Sequence, residues 1–210
     1  MHGSTGRAAG TRSVHEDHDP RSVTTSPVAH CGGLVPALLA RWPAALALLA
    51  LVANVSGGAD AHSTALIIVI AATCYLGAAV VGRPRSGWLM VLVCSGVVVG
   101  AGLAGLDPTV AVLVLGAVLA IVGLVRPGAD RGEVARQTVA FLGFGAVAVA
   151  AMLTGPFPAA LLGAGVAVGH AAWDVWHVLR GRVVTRSLAE ACFLLDLGLG
   201  MALVLVAVAA

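Results

Sequence analysis

The sequence predicts an all-α fold: a polytopic membrane protein built as a seven-transmembrane-helix bundle, N-terminus cytoplasmic and C-terminus outside. Three observations carry this expectation. Of the 210 residues, 59% are hydrophobic and only 10% charged, whereas soluble domains are about a quarter charged. Aromatic residues make up just 4%, so the apolar character comes from small and branched aliphatics, as in close-packed membrane helices. Seven apolar stretches approach the roughly twenty residues that cross about 30 Å of hydrocarbon. Finally, every basic side chain is an arginine, and all of them fall on one side of a seven-span topology.

Taken in order, the first span covers 35–55 and is interrupted by Arg41 and Pro43, so Arg41 marks the interface or snorkels to it. The second, 62–82, runs unbroken to the turn "GRPRSG", and the third, 87–105, ends at "LDPT". Asp107 and Pro108 suit the N-cap and first helical position of the fourth, 108–125, which closes at "VRPGADRGE". The fifth, 134–154, is separated from the sixth, 156–179, by "TGPFP". The seventh, 187–209, opens with "SLAE", a capping box in which Ser187 and Glu190 would satisfy the first free amides.

The arginines fix the orientation of this ladder. Arg7, Arg12, Arg21 and Arg41 precede or open span one, and Arg83 and Arg85 follow span two. Arg126, Arg131 and Arg136 bracket the loop between spans four and five, and Arg180, Arg182 and Arg186 join six to seven. The opposite connections hold Asp60, His62 and Asp107 but no arginine. The positive-inside rule then places the arginine side in the cytoplasm. Trp42, Trp88 and Trp176 sit near the same span ends, where an amphipathic ring is favoured. The absence of lysine and the Ala/Val/Gly/Arg bias suggest a GC-rich bacterial genome, hence a bacterial cytoplasmic (plasma) membrane.

Residues 1–33 are polar and lack an apolar run, so they read as a disordered cytoplasmic tail ahead of the membrane domain, 34–210. They have no h-region and do not resemble a cleaved secretory signal; a later start, near Val28 or Leu34, fits the same boundary. "HEDHD" at 15–19 reads as solvated tail rather than a metal site. Cys31, Cys74, Cys94 and Cys192 show no metal-type spacing and read as thiols without a disulfide framework. Gly96-x-x-x-Gly100 and Gly165-x-x-x-Gly169 are expected to seat neighbouring helices inside the bundle.

Several functions are excluded. A net charge of +2 gives no footprint for nucleic acid. No P-loop, dinucleotide fingerprint or G-x-S-x-G elbow is present, so neither a nucleotide nor the commonest hydrolase chemistry is implied. A retinal Schiff base requires a lysine, and the chain has none. The lipid bilayer is the expected partner; a membrane-protein partner or homo-oligomer stays open, and the cofactor is unknown.

The unusual stretch is "GHAAWDVWHVLRG", residues 169–181, where His170, Asp174 and His177 interrupt an apolar span. At about 100° per residue these three fall within roughly 60° of one another, on one stripe. Counting about 1.5 Å per residue from Arg180, His177 lies about 4–5 Å deep, Asp174 about 9 Å and His170 about 15 Å. On span seven Glu190 lies about 6 Å deep and Asp196 about 15 Å, so His177 should be level with Glu190 and His170 with Asp196. An aspartate at a helix centre costs roughly 2.5–3.5 kcal/mol on insertion scales. These residues should therefore face protein or water. Each also has a structural reading: Glu190 as cap or partner of Arg186, Asp174 as a tie between two histidines. His170 with Asp174 has ligand-like i, i+4 spacing, but His170 and His177 are about 10.5 Å apart along the axis, too far for one ion. The string therefore reads as a ladder of titratable groups.

The intramembrane polar-site candidates are His170, Asp174, His177, Asp196 and Glu190. The expected function is a non-catalytic membrane subunit or bundle carrying this stripe. The alternatives are a proton- or ion-conducting carrier and a membrane enzyme acting on a lipid or isoprenoid, with metal dependence open.

Overall fold

The computed structural model describes residues 41–209. The polar segment 1–33, the "HEDHD" string, Cys31 and the first residues of span one lie outside them. Among the described residues there are seven helices and no strands. They are α1 (Trp42–Val55), α2 (Ala61–Val81), α3 (Ser86–Leu103), α4 (Pro108–Val125), α5 (Arg131–Met152), α6 (Pro156–Arg180) and α7 (Arg186–Ala209). Five of them, α2, α3, α4, α5 and α7, are long and apolar enough to cross a membrane. At 25 residues α6 is long enough but less apolar, and α1 is apolar but only 14 residues long.

The helix starts follow the caps. Asp107 accepts from the amides of Thr109 at 2.7 Å and Val110 at 3.1 Å, ahead of Pro108. Asp130 accepts from Glu133 N at 3.1 Å. Asp60 caps α2 through Ser63 N at 2.7 Å. Partial burial opposes the charge on Asp60, but hydrogen bonds from Ser63 and the His62 amide outweigh it and hold the carboxyl below its ordinary range. The capping box at "SLAE" does not form. The amides of Leu188 and Ala189 bond to Thr185 O, so the helix begins with Thr185 at its N-cap and Ser187 inside the first turn. The Ser187 hydroxyl accepts from Trp88 Nε1 at 3.2 Å instead.

Burial places α2 at the centre. It is apolar all round, as a helix surrounded by protein should be. Of its apolar window 78% is buried, against 22–33% for the other four. It packs against α3, α4, α5, α6 and α7, while α6 and α7 form the closest pair and α1 lies against α7. Val69, Leu76 and Val80 of α2 meet Val112 of α4 and Val134 and Phe141 of α5 in the main core. The outward faces are apolar: Leu92 is 70% exposed, Val139 70% and Leu103 86%. Side chains of this kind belong against lipid, and the chain is a membrane-embedded helical protein.

Close packing is supplied by other glycines than expected. Among the described residues, a Cβ built on Gly96, Gly100 or Gly165 meets nothing within 4 Å, and one on Gly169 meets only Phe144, at 3.6 Å. The inward face of α3 is set by Gly87, Met90, Cys94 and Ala101. Gly96 and Gly100 lie two and six positions past Cys94, about 200° and 240° around the helix, and so face outward. The tight contacts are instead Gly116 against the Phe141 ring, Gly123 against Val80 and Val134, and Gly198 against Leu51. Gly116→Ala should therefore destabilise the bundle by about 1–3 kcal/mol through overpacking. Gly96→Ala should leave stability unchanged or raise it, by up to about 1 kcal/mol from helix propensity. Thermal unfolding of both variants in detergent checks this contrast, and equal losses would contradict it.

Candidate functional site

The i, i+4, i+7 spacing of His170, Asp174 and His177 gives α6 one polar stripe, and helix packing turns it inward: all three are buried. Asp196, also buried, joins them from α7. Its carboxylate Oδ2 lies 2.8 Å from His170 Nδ1, and Asp174 Oδ1 lies 3.5 Å from the same nitrogen. Equal depth on antiparallel neighbours thus becomes direct contact for this pair. The central helix contributes Tyr75, whose hydroxyl donates to Asp174 Oδ1 at 2.6 Å. Tyr75 and Phe144 wall the His170 ring edge-on, with centroids 5.6 and 4.8 Å away.

His177 stands apart from this trio and bonds elsewhere. Its Nδ1 lies 2.9 Å from the Trp173 carbonyl, which can only accept, so Nδ1 carries the hydrogen. Gln137 Nε2 approaches His177 Nε2 at 3.0 Å and Glu133 Oε1 at 2.9 Å. Both amide hydrogens are thereby used, one to each acceptor, which makes His177 neutral, its Nε2 lone pair accepting from Gln137. Glu133 is in turn held by Arg136 at 2.6 Å. This chain of Glu133, Gln137 and His177 escaped sequence reading because Glu133 sits in an ordinary first helical turn. Only the packing of α5 on α6 joins it to the stripe. Tyr75 was likewise missed: a lone tyrosine in an apolar span carries no spacing signal.

Glu190 takes no part. Its side chain is 51% exposed and lies 3.7 Å from Arg186. It is six residues before Asp196, about 120° away around the helix, so both cannot face α6. Depth alone made it level with His177, but azimuth separates them.

The trio has two properties that matter chemically. His170, Asp174 and Asp196 can each offer one ligand atom, and these atoms lie within 4.8 Å of one another. Each residue also keeps a buried atom without a hydrogen-bond partner among the described residues: His170 Nε2, Asp174 Oδ2 and Asp196 Oδ1. The donors are one imidazole nitrogen and carboxylate oxygens, a set that suits a first-row transition metal. Spacing within α6 reads as a ladder; the packing of α7 on α6 brings Asp196 against His170 and makes a cluster of that end of it. No family model matches this chain, and no curated protein or solved structure matches it.

Tyr75→Phe keeps the ring but removes the donor to Asp174, and it should lower stability by about 1–3 kcal/mol, the penalty for an unsatisfied buried acceptor. Glu190→Gln, on the exposed side of α7, should stay within about 0.5 kcal/mol of the parent. Thermal unfolding in the same detergent reads both; a neutral Tyr75→Phe would show that the hydroxyl does not hold Asp174.

Proposed function

We propose that this chain is an integral membrane protein that holds one divalent transition-metal ion at His170, Asp174 and Asp196. The observation that carries this reading is the convergence of three buried ligand atoms, with a carboxylate oxygen left unpartnered on both Asp174 and Asp196. A purely structural polar network satisfies its members, because a half-satisfied one is worse than an apolar core. Charge points the same way. Two buried carboxylates exceed what a single protonated imidazole balances, whereas a divalent ion balances both while His170 stays neutral. The Tyr75 hydroxyl would orient the Asp174 ligand as an outer partner does in metal sites.

In the same reading the chain crosses a bacterial cytoplasmic membrane seven times with its arginine-bearing connections inside. Two contacts favour this: Arg126 Nη1 reaches Val80 O at the end of α2, and Arg182 lies 3.8 Å from Asp130, so these connections share one end of the bundle. The 25 residues of α6 span about 37 Å, sufficient for the hydrocarbon core. A reporter enzyme active only outside the cytoplasm should work when fused after the C-terminal alanine and fail when fused at Arg83 or Gly128. The reverse pattern would invert the topology.

A second reading, a non-catalytic subunit in which the trio is only a tie, draws on the bonds that join α2, α6 and α7 through Tyr75, Asp174, His170 and Asp196. Elemental analysis of the purified full chain separates the two. Near-stoichiometric manganese, iron or zinc should be lost in both Asp174→Asn and Asp196→Asn. A folded protein without metal, or metal retained in both variants, would overturn the metal reading in favour of the tie or of binding by the "HEDHD" string.

A further inference from the structure

A crevice runs from the lipid-facing surface between α1, α2, α3 and α7 to Asp196. Its volume is about 200 Å³. The lining passes from Leu46, 50% exposed, to Cys74 and Asp196, 1% and 0% exposed, so it leads from the lipid-facing side inward. Asp196 is its one charged residue; the remainder is almost wholly apolar. The carboxylate is held through Oδ2 by His170, while Oδ1 has no partner among the described residues. Short α1 forms the outer wall through Pro43, Ala47 and Ala50, and Trp42 packs on Trp88 at 4.6 Å beside it.

We infer that this crevice binds a long-chain alcohol from the bilayer, its hydroxyl reaching Asp196 beside the metal site. The inference names a ligand for the site proposed above and rests on that reading only where the hydroxyl oxygen adjoins the ion. The chemistry of the walls selects the class. An anionic head group would carry its charge through an apolar passage, at high desolvation cost, to a lining whose one charged group is the Asp196 carboxylate. An ammonium would carry its charge through an apolar passage at high desolvation cost. A plain hydrocarbon leaves the unpartnered oxygen as it is. A hydroxyl is neutral, and its O–H donates to Oδ1 while its oxygen keeps a lone pair. The crevice is smaller than the roughly 300–1,000 Å³ of sites that enclose a drug-sized ligand. It therefore takes the head and the first carbons, with the rest of the chain lying among lipid tails.

Cys192 lines the same crevice and is half-buried, which supplies a readout. The full-length protein in detergent is treated with a maleimide after addition of dodecanol, farnesol or dodecane, and modification of Cys192 is read by peptide mass spectrometry. Dodecanol or farnesol should abolish most Cys192 labelling, and the stronger of the two identifies a straight or a branched chain; dodecane should not protect. Ala50→Phe, which fills the crevice from α1 and leaves the trio intact, should remove the difference between alcohol and dodecane. Equal protection by dodecane, or no protection by either alcohol, overturns the inference. Metal content measured on the same samples keeps the two proposals apart: protection by alcohol in protein without metal sinks only the metal reading.

Discussion

Asp174 and Asp196 stand in the interior of a bundle made almost entirely of aliphatic side chains, and the rest of the architecture answers to that burial. A carboxylate in an apolar medium needs partners at hydrogen-bond distance, because water is not there to supply them. Asp174 takes the Tyr75 hydroxyl from α2, and Asp196 takes the His170 imidazole from α6. Three helices are thereby committed to one arrangement. Sliding any of them by one residue would break these bonds and strand a charge. Apolar packing alone is far more permissive of such a slip.

The central position of α2 follows from its composition. A helix without a polar face gains nothing by standing at the rim, and α2 is enclosed by five neighbours. Its lone tyrosine is then carried to the middle of the bundle, against both histidines of α6: the Tyr75 ring lies 5.6 Å from His170 and 4.6 Å from His177. One aromatic side chain thus separates two polar systems of different character. On one side lies the trio, rich in acceptors and short of donors. On the other lies His177, neutral and fully engaged with Trp173 and Gln137.

The loop from α6 to α7 shows how much packing holds this geometry. Val183 adopts φ 74°, a left-handed conformation that is strained for a β-branched residue. Its neighbour Val184 is buried with Tyr75, Leu188 and Ala189, and Val183 packs beside them. Burial of Val184 beside Tyr75, with Val183 partly buried against the same cluster, offsets the backbone strain, and the tight connection keeps Asp196 opposite His170.

Sequence alone determined the elements. Long apolar runs, proline and glycine punctuation and the aspartate caps are local properties, so α4 begins at Pro108 and α7 ends near 209 as read from the chain. The stripe of His170, Asp174 and His177 was legible for the same reason: helical spacing is a property of one segment. The contact of His170 with Asp196 was within reach too, since a short loop makes antiparallel neighbours and equal depth follows by counting. What required the tertiary structure was azimuth and partnership between segments. Glu190 shares the depth of His177 but faces away, and Gly96 and Gly100 carry a packing motif on a face where an added Cβ would meet nothing within 4 Å among the described residues. Tyr75, Glu133 and Gln137 are unremarkable in their own helices and become part of the site only by rotation of those helices about their axes. That rotation is settled by the sum of many weak apolar contacts across the bundle, a non-local quantity that no window of sequence contains.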